Sequence, residues 1–550
     1  MAGIVVPSEF SRNGNTTHTG ALQSIGDDEQ FSYGTAGFRY KAEKLPFLVF
    51  RCSYVASLRA RQLNSAIGVM ITASHNPAED NGVKLVDPSG DMLNEQWEIY
   101  ATEIVNATDA ELPAVLRALE RQIQVSKTMN SRVVCGMDTR VSGPHLMAAA
   151  RAGAALFNVP FEDIGVVSTP MLHYAVKCHN EPQFAAPTHE GYYSSITEAF
   201  KELHDLTDEP EGSRYQKKLV VDCANGVGAP RFRDLLSRIP TDLLEVEFRN
   251  VSGPLNHECG ADFVKINQKL PTNFPADARS DPKCASFDGD ADRLIYFRSK
   301  CPNSQDAELF DGDKIAVLIA TYIREQMRAY EQSQPRERLR LGIVQTAYAN
   351  GSSTRFIREK LGVEPIIVPT GVKHLHEAAS DFDVGIYFEA NGHGTVVFSE
   401  VFDRIIRRFP HENICLRRLR LFSRVINETV GDAFADLLAV EAVLRHLGWS
   451  MDDWAEKLYT DVPNVQIKVP VIDRSIFKTT HSEQRLVKPE GIQKIIDEDV
   501  AKYKNSRAFI RPSGTENIVR VYAEADTVEN SWQLGRSLEK VVLGLRNTAA

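Results

Sequence analysis

The sequence predicts an α/β protein of several domains, closed by a smaller α+β module. Three observations lead there. Short β-branched runs alternate with helix-length stretches over most of the chain, the pattern of α/β units built on a mostly parallel sheet. Two strands end in a glycine-bearing loop that opens a helix, Asp222-Cys-Ala-Asn-Gly226-Val-Gly228 and Gln345-Thr-Ala-Tyr-Ala-Asn-Gly351, and this recurrence hints at repeated α/β domains. At 550 residues the chain exceeds what one core can organise, so three or four domains are expected.

The strand-like runs are Ile67–Thr72, Arg132–Met137, Ile164–Val167, Lys218–Asp222, Leu244–Phe248, Leu294–Phe297, Leu341–Gln345, Pro365–Val368 and Val384–Phe388. Helix-length stretches such as Met147–Phe157 and Asp313–Tyr330 lie between them. After about residue 455 the pattern changes: Val465–Ile472, Ala508–Ile510 and Ile518–Ala523 read as a small sheet followed by a helix. Loop-prone breaks near 181–215, 298–308 and 450–464 divide the chain into domains at 1–195, 196–298, 299–455 and 456–550. The first break contains Glu209-Pro-Glu-Gly-Ser213 and reads as a surface insertion. The first thirty residues lack the basic start and apolar core of a secretory signal and read as a flexible arm.

Composition narrows the class. A net charge of −10 argues against a broad nucleic-acid or membrane footprint, which needs clustered Lys and Arg, yet it leaves room for a local basic pocket and a small anionic substrate. No run of eighteen apolar residues is present to span a membrane. The eight cysteines are scattered without zinc-type spacing, and in a chain this long they read as buried thiols of a reducing, cytosolic compartment.

Five segments carry chemistry. In Ile71-Thr-Ala-Ser74-His-Asn-Pro77 an apolar strand ends in small polar residues and a proline, which puts the Ser74 hydroxyl on a turn where it can act as nucleophile or phosphoryl carrier. Alone, that is an ordinary Asn-Pro turn. Downstream, Lys84 offers an ammonium for a phosphate or for acid/base work. In Asp288-Gly-Asp290-Ala-Asp292-Arg293 three carboxylates at alternate positions share one side of an extended segment, and Gly289 lets the backbone curl so that they converge. Packed anions of this kind call for a hard cation with oxygen ligands, which suits magnesium. A calcium-binding EF-hand is a poor fit, because its sixth and twelfth positions would fall on Arg293 and Ser299 instead of glycine and glutamate.

Near the C-terminus, Arg511-Pro-Ser513-Gly514-Thr515 gathers a guanidinium, two hydroxyls and a glycine amide, a cradle for phosphate oxygens. Glu389-Ala-Asn391-Gly392-His-Gly394 sets an acceptor and a donor on a glycine-supported loop, suited to neighbouring sugar hydroxyls. Tyr33-Gly-Thr-Ala-Gly37-Phe-Arg39 adds an arginine on a glycine turn. Each is weak by itself. Together they supply a carrier, a metal, a phosphate anchor and a sugar reader.

Thr72-Ala-Ser-His-Asn-Pro77, Asp288-Gly-Asp-Ala-Asp-Arg293, Glu389-Ala-Asn-Gly-His-Gly394 and Arg511-Pro-Ser-Gly-Thr515 resemble, in order and over nearly the whole chain, the four signature loops of the α-D-phosphohexomutase superfamily. Its glucose and mannose mutases usually carry Glu-x-Ser-Gly in the sugar loop. The Glu-Ala-Asn-Gly found here is closer to the eukaryotic phosphoacetylglucosamine mutase family. The resemblance implies three α/β mixed-sheet domains and a smaller C-terminal α+β domain around a central cleft. It further implies a phosphorylated Ser74 that ligates Mg2+, one per chain, with Asp288, Asp290 and Asp292. The reaction implied is interconversion of N-acetylglucosamine 6-phosphate and 1-phosphate through a 1,6-bisphosphate, feeding UDP-N-acetylglucosamine synthesis.

Residue by residue, the resemblance places Lys84 and Arg39 near the transferring phosphate, with Lys84 the candidate general acid/base. His75 and Arg293 lie near the metal loop. Arg511, Ser513, Gly514 and Thr515 would hold the other phosphate, with Arg520 nearby. Glu389, Asn391 and Gly392, with Thr370 and Gly371 of a further glycine loop, would read the sugar. A monomer with a phosphosugar substrate and neither nucleic-acid nor membrane partner is expected. A glucose or mannose mutase of the same fold is the runner-up. A haloacid-dehalogenase-type phosphatase would use Asp288 but leave Ser74 and Arg511 without tasks. A P-loop kinase lacks its Gly-Lys dipeptide, and a mere binding protein has no use for the intact serine loop and carboxylate trio.

Overall fold

Uninterrupted apolar runs become the central strands. Ala66–Ile71 is buried along its whole length, as a strand covered on both faces must be, and the other strands assemble around it. The computed structural model describes residues 6–34, 37–123, 130–274, 283–301, 303–333, 338–408, 413–513 and 517–546. The first sheet contains β1 (Phe38–Lys41), β2 (Ala66–Ile71), β3 (Asp80–Val86), β4 (Arg132–Met137) and β5 (Phe161–Val166), in the order β1-β3-β2-β4-β5. The second contains β6 (Lys218–Asp222), β7 (Glu245–Arg249), β8 (Cys284–Phe287), β9 (Leu294–Ser299) and β10 (Ala307–Phe310), in the order β10-β9-β8-β6-β7. The third contains β11 (Leu341–Thr346), β12 (Ile366–Val368), β13 (Val384–Phe388) and β14 (Gly394–Phe398), in the order β12-β11-β13-β14.

These sheets are mixed, not mostly parallel. In the first, β2, β4 and β5 run parallel while β3 is antiparallel to both β2 and β1. The second repeats the arrangement, with β7, β6 and β8 parallel and β9 antiparallel to β8 and β10. The strands β1, β3, β8 and β10 that complete these sheets are short or broken by polar residues, so alternation with helices does not reveal them. The repeat has a consequence. β2, β8 and β13 hold the same place in their sheets, and each turns directly into the neighbouring strand β3, β9 or β14. Those connections are residues 72–79, 288–293 and 389–393. The Asn-Gly loops after β6 and β11 likewise occupy matching positions, which supports the repeat inferred from their sequences.

A fourth sheet is antiparallel throughout: β15 (Asn464–Pro470), followed by the hairpin β16 (Lys478–Thr479) and β17 (Leu486–Lys488), then β18 (Arg507–Pro512) and β19 (Ile518–Glu524), with the sheet ordered β15-β19-β18. The helix Val528–Arg546 follows it, and Leu534, Leu538 and Val542 join Val519, Val521 and Ala523 in one buried cluster. This matches the expected α+β module.

By packing, the chain divides into two compact units. One is Met1–Asp311 with Asn391–Thr395 and Arg417–Gly448, and the other is Gly312–Ala390 with Val396–Leu416 and Trp449–Ala550. Within the first, two expectations fail. Residues 6–34 are not a flexible arm. Phe10, Ile25 and Phe31 are buried in the core of the first sheet, Phe10 stacks on Phe50 at 5.9 Å, and the buried Arg12 donates to the carbonyls of Val105, Gly26 and Glu29. Such anchors are too sparse to show a period. Nor is 181–215 one continuous break, since His189–Asp205 is a helix burying Tyr192, Ile196, Ala199 and Leu203. Its apolar stripe is masked by charged neighbours, and the following 208–212 stretch is exposed.

The second sheet continues through the β9–β10 hairpin to Phe310, across the break expected at 298–308. Within the second unit, residues 450–464 hold the helix Met451–Lys457, started by a Ser450–Asp453 capping box and anchored by the buried Trp454. All eight cysteines are free, six of them buried, with Cys301 exposed and Cys415 half-buried. Among the described residues no helix is long and apolar enough to cross a membrane. Phe10→Ala is expected to cost about 3 kcal/mol, the range for emptying an aromatic site, whereas an arm free in solvent would tolerate it. Chemical denaturation of the two proteins measures the difference.

Candidate active site

Strand β2 ends at Ile71, and the chain then folds over itself so that Ser74 is fully buried with a left-handed φ of 50°. That conformation is held, not free. The Ser74 amide donates to Thr72 Oγ1 at 2.9 Å. The buried Arg140 donates from Nη2 to the carbonyls of Ser74 (3.0 Å) and Asn76 (2.9 Å), and from Nη1 to those of Pro77 and Asp80. Asn256 Nδ2 grips the same Ser74 and Asn76 carbonyls at 2.9 and 3.1 Å. Arg140 is itself paired with the buried Asp138 at 3.0 Å, and Asp138 Oδ2 lies 2.8 Å from Thr72 Oγ1. Sequence reasoning missed Arg140, Asp138 and Asn256. They are distant in sequence and carry no motif, and only folding shows what they hold.

The carboxylates sit directly opposite. Asp288, Asp290 and Asp292 are all buried, and each offers an oxygen within 4.8 Å of the others. Ser74 Oγ donates to Asp288 Oδ2 at 2.7 Å and lies 3.5 Å from Asp292 Oδ1. Asp288 Oδ1 accepts from the amides of Asp292 and Arg293, which folds the segment back on its first residue. Asp290 Oδ2 accepts from Thr169 Oγ1 at 2.5 Å and lies 3.1 Å from Thr72 Oγ1. The left-handed residue of the loop is Ala291, with φ 56°, so Gly289 does not serve to curl the backbone. It serves close approach: a Cβ on Gly289 would stand 2.7 Å from the Ser74 carbonyl oxygen.

Positive charge lies at the edge of the three anions, on Lys84, Arg39 and Arg293. Burial, with Asp292 and Asp290 alongside, pushes the Asp288 carboxyl well above its ordinary value. Burial acts the same way on Asp292, but Lys84 and His393 outweigh it and hold that carboxylate ionised. Asp290 Oδ1 is buried without a hydrogen-bond partner. Three carboxylates, a hydroxyl oxygen among them and an orphaned oxygen make a hard donor set, and the fit is to a divalent cation such as magnesium.

The cations that are present line the edge. On β3, Lys84 Nζ lies 3.2 Å from Asp292 Oδ2 and 3.6 Å from Asp290 Oδ2. Arg39 on β1 stands opposite Gly82 in the strand register, two residues before Lys84, so both point from one face of the sheet. Burial and the nearby Arg293 lower the Arg39 guanidinium below its usual value. Arg293 contacts Asp262 at 3.1 Å, with its Nε 3.8 and 3.9 Å from Asp292 and Asp288. His75 is held neutral by burial, then by Arg293 and Arg39.

The sugar loop is partly in place. Gly392, with φ 88°, lets its carbonyl accept from Leu294 N at 3.1 Å, and His393 Nδ1 meets the Asp292 carbonyl at 2.7 Å. Asn391 Oδ1 accepts from the His393 amide. Thus Asn391, Gly392 and His393 brace the metal loop. Sequence reasoning had named His393 only as part of the motif.

In the second unit, Arg511 on β18 stands opposite Arg520 on β19. Its Nε lies 2.7 Å from Glu483 Oε1, and Glu483 Oε2 accepts from the amide and hydroxyl of Thr370 at 2.9 and 2.8 Å. Glu483 was not anticipated. Gly371, with φ 130°, precedes the helix Val372–Ala379, and Glu389 is half-buried just beyond the end of β13. Ser513 is buried at the end of β18, whereas Gly514 and Thr515 lie outside the described residues.

Comparison with known proteins agrees with this arrangement. Family models match along the chain: "Phosphoglucomutase/phosphomannomutase, alpha/beta/alpha domain I" at residues 53–114 and 103–186, "Phosphoacetylglucosamine mutase AMG1, domain II" at 184–295, "Phosphoacetylglucosamine mutase AMG1, domain III" at 311–449, and "Phosphoglucomutase/phosphomannomutase, C-terminal domain" at 467–532. The phosphoacetylglucosamine mutase of Candida albicans is 44% identical over 93% of this chain and 96% of its own. The chain belongs to the phosphoacetylglucosamine mutase family. The crystal structure of Aspergillus fumigatus N-acetylphosphoglucosamine mutase with GlcNAc-6P and magnesium superposes with a TM-score of 0.87 at 42% identity, covering 96% of this chain and 97% of that one. A variant of the same fungal enzyme, solved with glucose 1,6-bisphosphate, gives a TM-score of 0.85 at 41% identity over 96% and 97%. The fold is that of the four-domain phosphohexomutases, with three α/β mixed-sheet domains and a smaller C-terminal α+β domain.

The contact at Gly289 makes a sharp expectation. Gly289→Ala forces the serine and metal loops apart, and turnover falls about a hundredfold, as misplacement near 1 Å does in a positioned site. Circular dichroism of the variant should match the parent, which separates loop displacement from unfolding.

Proposed function

We propose that this chain interconverts N-acetylglucosamine 6-phosphate and N-acetylglucosamine 1-phosphate, with Ser74 as phosphoryl carrier and a 1,6-bisphosphate as intermediate and activator. The observation that carries the reading is the Ser74 hydroxyl, held 2.7 Å from Asp288 beside two further buried carboxylates. Asp288, Asp290, Asp292 and an oxygen of phosphorylated Ser74 would hold one Mg2+ per chain. When bound, it polarises the phosphoserine and offsets charge on the moving phosphoryl group.

The remaining work belongs to the chain. Arg140 and Asn256 hold the loop so that the Ser74–phosphate bond can point in line at an incoming hydroxyl, because phosphoryl transfer depends on positioning more than on covalent chemistry. In the first half-reaction the substrate O1 bonds to phosphorus while the Ser74 Oγ–phosphorus bond breaks. Lys84, having first released its own proton to solvent, takes up the O1 proton as the free amine, and Arg39 and Arg293 steady the transferring oxygens with His75 alongside. The 1,6-bisphosphate then turns round. In the second half Ser74 Oγ bonds to the phosphorus on O6, the O6–phosphorus bond breaks, and Lys84 returns the proton to O6. The atoms balance, and Ser74 is phosphorylated again.

The phosphate that is not moving rests on Arg511, Ser513, Gly514 and Thr515, with Arg520 beside Arg511. Glu389, Asn391, Gly392, Thr370 and Gly371 read the sugar in either orientation. The chain works as a cytosolic monomer on a phosphosugar, without nucleic-acid or membrane partners, and its product enters UDP-N-acetylglucosamine synthesis. Its four domains divide near residues 187, 311 and 460, outside the helix His189–Asp205, the β9–β10 hairpin and the helix Met451–Lys457.

Purified protein with magnesium, N-acetylglucosamine 6-phosphate and a catalytic amount of sugar bisphosphate should yield N-acetylglucosamine 1-phosphate, followed by 31P NMR. Ser74→Ala should lower the rate by at least about three orders of magnitude, the scale seen when a nucleophile is removed. Turnover of glucose 6-phosphate above the acetylated substrate would move the assignment to a glucose mutase of the same fold. An unimpaired Ser74→Ala would end it. Chelation should abolish turnover, and magnesium should restore it better than calcium, whose larger, looser coordination sphere suits this compact set less well.

A further inference from the structure

We infer that Glu483 is a positioning residue that ties the phosphate-binding Arg511 to Thr370 of the glycine loop that precedes the helix Val372–Ala379. The inference rests on the reading of Arg511 as a phosphate ligand. Glu483 stands at the turn between β16 and β17 in a left-handed conformation, φ 57°, fixed by its amide donating to Thr480 O at 2.9 Å and by the Thr480 amide donating to Arg485 O at 2.8 Å. The side chain is largely withdrawn from solvent, 14% exposed against 13% for Arg511, so this is no loose surface pair.

Its two oxygens are divided between two loops. Oε1 faces Arg511 Nε at 2.7 Å, and Oε2 takes both the Thr370 amide and the Thr370 hydroxyl. An ion pair on the Nε side, with Tyr348 also against the guanidinium, biases its direction and leaves its Nη side for contact with a phosphate. Arg520 stands opposite Arg511 in the strand register, so two like charges share this face of the sheet. The carboxylate offsets part of their repulsion and leaves the pair net positive. A carboxylate next to a phosphate ligand weakens the attraction for an anion, so what Glu483 contributes is direction, not charge. It also joins the sugar-contacting Thr370, by hydrogen bonds, and the phosphate-contacting Arg511, by an ion pair, into one unit. A substrate that binds in two orientations with one phosphate anchored needs such a fixed spacing.

The test compares E483A, E483Q and R511A in steady-state turnover of N-acetylglucosamine 6-phosphate, with Ser74 phosphate content measured by mass spectrometry. E483A should raise KM roughly tenfold with kcat changed less than about threefold, because ground-state anchoring is lost while the transferring centre is untouched. Ser74 phosphate content should equal the parent's. E483Q keeps the shape and an acceptor for Thr370 but not the charge facing Arg511, and should also raise KM; it serves as the readout where E483A fails to fold. An unchanged KM in both Glu483 variants, with R511A raising it, overturns the positioning role alone. A lowered KM overturns it too, by showing that Glu483 competes with the phosphate. An R511A variant with parental KM removes the phosphate-ligand reading on which the inference rests.

Discussion

Three carboxylates buried within 4.8 Å of one another repel by about 3 kcal/mol per pair at an effective dielectric constant of about 20, and the surrounding structure answers that repulsion. Lys84 and Arg293 approach from the edge, Thr169 satisfies one oxygen of Asp290, and the other oxygen has no hydrogen-bond partner. A folded chain tolerates such an orphaned oxygen where a cation completes the set. The serine hydroxyl lies inside the same arrangement. A phosphate placed on Ser74 would therefore meet the cation through its oxygens, and the concentration of charge that is costly in the resting fold becomes the means of stabilising a moving phosphoryl group.

Topology delivers these groups economically. The serine loop, the metal loop and the sugar loop are one connection repeated three times, the link from an interior parallel strand to its next-door neighbour. Such loops at strand ends are where α/β folds place ligands. The contacts that then matter are few and short. Gly289 admits the Ser74 carbonyl, Arg140 collects carbonyls from the serine loop, and His393 caps the Asp292 carbonyl. Each joins segments far apart in the chain, so the site's geometry is a property of tertiary packing.

That division explains what could be read from the residues. The motif-bearing groups Ser74, Asp288, Asp290, Asp292, Lys84 and Arg293 were legible because the chemistry demands those side chains in short, ordered strings, and folding gathers them in the first unit. Most interior strands were legible because apolar β-branched runs announce buried strands. What escaped notice has no local signature. Arg140, Asp138, Asn256 and Glu483 act through contacts that exist only once the chain is folded. The segment 6–34 is anchored by Phe10, Ile25 and Phe31, too widely spaced to show a period. The helix 189–205 hides its stripe among charges. Gly289 was noticed for the wrong reason, since a glycine chosen for close approach and one chosen for a left-handed turn look alike in sequence.

The claim at the centre is that one cation joins the acidic trio to a phosphate carried on Ser74. Electron paramagnetic resonance of Mn2+ bound to the phosphorylated protein addresses it directly, since a phosphorus nucleus reached through one oxygen couples measurably to the metal. The account predicts one tightly bound Mn2+ per chain with 31P coupling, the coupling vanishing when Ser74 is dephosphorylated. Tight binding without that coupling in the phosphorylated protein, or binding undiminished in an Asp290→Asn variant, would contradict it.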